Sequence, residues 1–130
     1  MPVEFQIEDE GSQLTLKLTD IVSLDALEEC LRLTEQHIAM DVERVLVLRS
    51  EATLTASALD AIKFGHKAGE IVARAGIAMA VVQAPEHDNE SFVDAGMFSE
   101  GVLIAPFHDE DQARAWLLSK RPGKKNESGS

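Results

Sequence analysis

The sequence predicts an α/β domain: a mixed, mostly parallel sheet of about five strands with about four helices, opened by a β-hairpin. Three observations lead there. Two short runs of strict apolar–polar alternation sit at the start, joined by a turn that contains glycine. Three aliphatic runs follow, and stretches of helical periodicity separate them. Strands alternating with helices imply right-handed crossovers and parallel neighbours.

The elements follow in order. Val3, Phe5 and Ile7 alternate with Glu4, Gln6 and Glu8, the pattern of a half-buried strand. Leu14, Leu16 and Leu18 alternate with Thr15, Lys17 and Thr19 in the same way, and the intervening DEGSQ supplies an antiparallel turn. Ser23 is the N-cap of a first helix with Leu24, Leu27, Leu31, Thr34 and Ile38 on one face. Glu28 and Arg32 have the spacing of an i,i+4 pair. RVLVL, Arg44 to Leu48, is a buried parallel strand.

A second helix spans Ala56 to Arg74, with Thr55 as N-cap and Ser57 in the first turn. Asp60, Lys63, Lys67, Glu70 and Arg74 form its charged stripe. Gly65 and Gly69 lie on the opposite face, flanked by Phe64, and imply close approach of this helix to the sheet. IAMAVV, Ile77 to Val82, is the next strand. Ser91 to Glu100 forms a short helix ended by Gly101, and VLIAPF, Val102 to Phe107, is the last strand. Asp109 caps the final helix, with Gln112 three residues later. Ala113, Trp116 and Leu117 form its inner face, and Pro122-Gly123 stops it. Trp116, the single tryptophan, is the expected keystone of that face.

Composition narrows the function. At 130 residues, with 45% hydrophobic and 27% charged residues, the chain suits one globular core. The domain is placed at residues 1–119, with 120–130 as a disordered basic tail. The net charge of −11 is concentrated in the body, because the tail itself is basic. An acidic body repels phosphate backbones, so nucleic acid is not an expected partner. No apolar stretch is long enough for membrane insertion, the first residues lack a basic-then-apolar leader pattern, and Cys30 has no second cysteine to pair with. A cytoplasmic protein is expected.

Chemical motifs are sparse. His37, His66, His87 and His108 lack metal-site spacing, and His87-Asp88 reads as a solvated loop. Cys30, among leucines on a helix, reads as an inert thiol. No dinucleotide loop, phosphate loop or nucleophile elbow follows any strand. The expectation is a protein without catalytic residues, cofactor or metal.

The hairpin, VLVLRS, the AIKFGHKAGEIVARAGIAMAVV stretch around Lys63, Phe64 and Gly65, and the ending APFHDEDQARAWL together resemble SpoIIAA-like proteins. That family shares its fold with STAS domains and is compared with SEC14-like lipid-binding domains. The resemblance implies a STAS-like sheet and a regulatory interaction module akin to anti-sigma factor antagonists. In those antagonists a phosphorylatable serine stands at the start of the second helix, in an Asp-Ser-Ser-Gly-Leu type motif. TASAL matches that stretch here, with Ser57 at the acceptor position and Leu59 at the leucine. Thr55, Ala56 and Ala58 depart from the pattern. Ser57 is equally an ordinary helix-start residue.

Two classes of function therefore stand side by side. In one, the segment Arg49 to Ser57, with Ser50, Thr55 and Ser57, docks on a protein partner. In the other, Phe64, Phe92, Met97 and Phe98 line a pocket for a small apolar or lipid-like ligand, with core filling as the simpler account of the same residues. A homodimer covering a patch at Met97 and Phe98 suits either.

Overall fold

The structure is a computed structural model and describes residues 3–84 and 92–120. The expectations for His87-Asp88 and for the tail beyond Lys120 lie outside the described residues. β1 (Val3–Glu8) and β2 (Gln13–Val22) are joined by a turn of 3-10 helix at Asp9–Gly11. α1 (Leu24–Ile38), β3 (Arg44–Leu54), α2 (Ala58–Ala75), β4 (Ala78–Val82), α3 (Phe92–Ser99), β5 (Leu103–Phe107) and α4 (Glu110–Ser119) follow. The five strands lie in chain order in one sheet. β1 is antiparallel to β2, and β2 to β5 are mutually parallel, as the alternation of elements predicts.

Strand parity divides the core. Leu14, Leu16, Val45, Met79 and Val81 face the side covered by α1, α2 and α3, in one cluster with Leu27, Leu31, Phe64, Val72 and Val93. The other parity, Leu46, Ala78, Ala80 and Val82, packs on Ala113 and Leu117 of α4. Right-handed crossovers put all three connecting helices on one face, and α4, which follows β5, covers the other. Each fully buried aliphatic side chain here contributes about 1.5–3 kcal/mol.

Several sequence expectations are corrected. β3 does not stop at Leu48 but continues to Leu54, so Arg49 to Leu54 is strand rather than loop. The N-cap of α2 is Ser57, not Thr55. Arg32 pairs with Glu29, and Glu28 instead meets Lys67 of α2 at 2.8 Å. The inner-face glycines serve helix against helix. A Cβ on Gly69 would come within 3.0 Å of Met97 Cα, and one on Gly96 would lie 2.6 Å from the Ile62 carbonyl oxygen. Gly65 meets the Val93 carbonyl in the same seam. Trp116 is only partly buried, stacked obliquely on Phe107, while Leu117 is fully enclosed. The keystone of α4 is therefore Leu117. The starts of α1 and α4 match the sequence, with Ser23 and Asp109 accepting from Ala26 and Asp111 amides.

The face of β1 and β2 that α4 leaves uncovered is polar. Arg44 is buried in it, donating to Asp9 at 2.7 Å, to Ser12 at 2.9 Å and to Gln13. Glu8 accepts from Thr15, from Gln13 and from Arg114 of α4 at 3.0 Å. This network pins the hairpin, whose Asp9, Glu10 and Gly11 all have positive φ, to the rest of the sheet.

Candidate functional site

The strand pairing breaks at the carboxyl end of the sheet, and that break positions the candidate site. Between the Lys17–Leu48 and Thr19–Glu51 pairs, β3 carries Arg49 and Ser50 against the single residue Leu18. Such a bulge re-aims side chains. Arg49 keeps the inward parity of Val45 and Val47 and points under α3. There its guanidinium reaches Asp94 at 2.9 Å and also donates to Gln83. Burial pushes the Asp94 carboxyl above its ordinary range, and the Arg49 charge opposes that push. Ser50 is exposed on the strand and borders an open crevice of about 300 Å³ with Lys17 and His108.

Beyond the bulge, β2 and β3 run on as a two-stranded ribbon to Val22 and Leu54. Thr55 then donates its backbone amide to the Val22 carbonyl at 3.0 Å, closing the ribbon. Three residues later α2 begins. Ser57 is exposed, and its hydroxyl accepts from the Asp60 amide at 3.1 Å. Leu59, in the first turn, is 61% exposed. The start of α2 thus presents a hydroxyl, a large apolar side chain and helix amides together at the surface. Asp60, next in line, already places a carboxylate at the positive helix end. Thr55 and Ser57 flank this surface, whereas Ser50 lies roughly 13 Å back along the strand, on the separate crevice.

The apolar candidates separate. Phe64 and Met97 are buried and line a cavity of about 70 Å³ between the sheet and α1–α3, with Arg49 and Asp94 at its polar end. Phe98 is 70% exposed, and Phe92 opens α3 with a side chain outside the described residues. Met97 therefore belongs to the core, not to a surface patch with Phe98. Cys30 also borders the cavity, and burial pushes its thiol up to about 12, which leaves it a poor nucleophile.

One grouping has the residue types of a hydrolytic triad without its geometry. His66 Nδ1 contacts both Glu100 at 2.8 Å and the Ser99 hydroxyl at 3.2 Å. A triad needs the acid and the nucleophile on opposite ring nitrogens. Ser99 also donates to the Gly96 carbonyl. Among the described residues there is no group of acids, histidines and cysteine placed to hold a metal, and no helix long and apolar enough to cross a membrane.

Sequence reasoning missed the Arg49–Asp94 pair. The signal was available: an arginine on the inward parity of an otherwise aliphatic strand must find a partner below the surface.

No protein-family model matches the sequence, and no curated protein matches it. Solved structures do resemble the fold. An uncharacterised protein of the DUF3478 family with a SpoIIAA-like fold, from Shewanella loihica, aligns at 20% identity and TM-score 0.58, over 88% of this chain and 91% of that one. The anti-sigma factor antagonist SpoIIAA in its unphosphorylated form aligns at 8% identity and TM-score 0.61, over 89% and 97%. The Bacillus cell fate determinant SpoIIAA in its phosphorylated form aligns at 11% identity and TM-score 0.57, over 87% and 98%. The chain has a SpoIIAA-like, STAS-like fold, as its sequence resemblance implied.

Proposed function

We propose that this chain is a non-enzymatic, cytoplasmic regulatory module that docks on a protein partner through the start of α2, and that Ser57 switches the docking. The observation that carries this reading is the exposed Ser57 hydroxyl capping α2 beside the exposed Leu59, on a fold shared with an anti-sigma factor antagonist. An apolar residue supplies contact area at an interface. A serine at a helix start is where added phosphate meets free amides and a favourable dipole, yet adds charge to any surface seated on it. SpoIIAA itself is described in unphosphorylated and phosphorylated forms.

The competing reading, a SEC14-like binder of a small apolar ligand, finds less support. A cavity of about 70 Å³ is well below the ~300 Å³ at which drug-sized pockets begin. Core filling accounts for Phe64 and Met97.

The test is a pull-down from host lysate with wild type, Ser57→Asp and Ser57→Asn as baits, read by mass spectrometry, with intact-mass analysis of the protein from its host. A partner held by wild type and Ser57→Asn and lost with Ser57→Asp supports the switch. Identical partner sets from all three baits, with no phosphate on Ser57, defeat it. A retained apolar ligand in native mass spectrometry favours the other reading.

A further inference from the structure

The cavity between the sheet and α1–α3 has apolar walls, to which Leu16, Leu31, Phe64, Val72, Met79 and Met97 contribute, all of them buried. Protein interiors are close-packed, and an unfilled space loses contacts for every atom that lines it. Core filling explains these side chains but not the space of about 70 Å³ that they leave. An engineered apolar cavity of about 150 Å³ holds benzene. A space half that size is far too small for a lipid and has room for a fragment of about three carbon atoms.

The polar end decides what that fragment carries. Arg49 stands on β3, inside the sheet, and its guanidinium cannot lose its proton. Nη1 and Nη2 donate to Asp94, and Nη2 donates also to Gln83, while the Nε–H has no partner among the described residues. A donor therefore remains for a second acceptor. Asp94 stands in the first turn of α3, and burial already pushes its carboxyl toward the protonated form. Of the two charges, the acid is the one that can be neutralised. An apolar pocket with a few convergent polar groups and a perturbed acid is the usual make-up of a ligand site.

We propose that this cavity binds a short-chain aliphatic carboxylate, with its alkyl end among the apolar walls and its carboxylate on Arg49. Two carboxylates on one largely buried guanidinium cannot both stay ionised, so the guest and Asp94 share one proton taken up from water. Affinity therefore falls as pH rises. The other titratable group around the cavity is the Cys30 thiol, which burial pushes up to about 12 and which stays neutral throughout. An amine seated on Asp94 would instead displace the guanidinium and leave a charge that cannot be discharged below the surface. Solvent still reaches Arg49 and Asp94, so the guest enters at that end, alkyl group first. Ser57 does not line the cavity, and the two readings stand or fall separately.

The experiment titrates the full chain with isobutyrate, followed by amide NMR shifts at about pH 5.5 and about pH 7.5. Six non-hydrogen atoms set a modest ceiling, so a dissociation constant of about 1 mM is expected at the lower pH. It should rise by up to about tenfold per pH unit, the slope of one bound proton. Shifts should centre on Arg49, Phe64, Val93 and Met97. Isobutyramide and isobutylamine, with the same alkyl group, should bind at least about tenfold more weakly. Asp94→Asn removes the competing acid and should bind isobutyrate equally well at both pH values. Arg49→Met combined with Asp94→Leu should keep the fold and lose the binding. Shifts that fail to saturate by about 50 mM isobutyrate at the lower pH overturn the proposal. So do an amine that binds as well as the acid, a double variant with wild-type affinity, or an Asp94→Asn variant that keeps the full pH dependence.

Discussion

The Arg49 guanidinium lies 2.9 Å from the Asp94 carboxylate, so one ion pair ties the bulge of β3 to the first turn of α3. Both side chains are largely buried, and removal of one partner would strand the other charge. Asp94→Ala should cost about 2–4 kcal/mol, near the lower part of the range for broken buried pairs because some water still reaches this one. Arg49→Met combined with Asp94→Leu should recover most of that loss, since an apolar pair escapes the desolvation cost. Urea unfolding of the single and double variants checks it, and a single variant within about 0.5 kcal/mol of wild type would show the pair to be idle.

The seam between α2 and α3 reverses the usual rule for glycine. In an open helix, Gly→Ala stabilises by about 1 kcal/mol. At Gly65 the new methyl would strike the Val93 carbonyl, and at Gly96 it would lie 2.6 Å from the Ile62 carbonyl oxygen. These obstacles are backbone and cannot rotate away. Gly65→Ala and Gly96→Ala should each destabilise by about 1–3 kcal/mol net, as overpacking does. Thermal melts decide, and a raised midpoint for either variant would contradict the close approach.

α4 gives a comparison within one helix. Leu117 is fully enclosed between α4 and β3–β4, whereas Trp116 lies partly open between Phe107 and Lys120. Leu117→Ala should cost about 2–5 kcal/mol by the cavity it leaves. Trp116→Ala should cost less, despite the larger side chain removed. An inverted order of unfolding midpoints would place the indole in the core after all.

The regular elements were legible because the apolar pattern follows the faces of the sheet: β1 and β2 alternate between one apolar and one polar face, whereas β4 is aliphatic and buried along its whole length. What escaped was local chemistry. RSEATL looks like loop because its side chains are polar, yet the end of β2 supplies backbone partners all the way to Leu54. A bulge has no composition of its own at Arg49-Ser50, so its effect on side-chain direction is invisible in one strand read alone. Gly65 and Gly69 announced a close approach, but to the sheet; the neighbour is instead α3, which is too short to display a clear apolar stripe. Ser57 was recognised by resemblance. Its capping role required knowing where the ribbon ends, because Thr55 and Ser57 are both good caps and only one faces the first free amides.

Acid should unfold the domain partly through Glu8. Hydrogen bonding from Thr15, opposed by modest burial and assisted by Arg114, holds the Glu8 carboxyl below its ordinary value of 4.5. An acid whose folded value is depressed binds its proton more readily in the unfolded chain. Its stabilisation is therefore complete above about pH 4.5 and is lost as pH falls through the lower folded value. Asp94 has the opposite sign: its raised value makes the protonated form favourable in the folded state, so its contribution declines as pH rises past the ordinary 3.8. Glu8→Gln should flatten the loss of stability below pH 4.5, and Asp94→Asn should steepen it, in urea melts taken across that range. Parallel pH profiles for wild type and Glu8→Gln would remove Glu8 from the account.

The capping geometry at Ser57 sets which substitutions can test the switch fairly. The Ser57 hydroxyl accepts from the Asp60 amide at 3.1 Å, so alanine removes a cap and should cost about 0.5–2 kcal/mol. Any partner lost with Ser57→Ala could then reflect a frayed helix rather than a missing hydroxyl. Asparagine and aspartate both cap as well as serine, and their side chains differ chiefly in charge. Ser57→Asn and Ser57→Asp should therefore melt within about 0.5 kcal/mol of wild type, with Asp drawing a little from the helix dipole and losing a little to the Asp60 carboxylate nearby. Matched melts make the pair of variants a clean contrast in charge at one position. If Ser57→Asp unfolds well below Ser57→Asn, the helix start does not tolerate a second acid beside Asp60, and a phosphate there would act by loosening α2 instead of by repelling a partner from an intact surface.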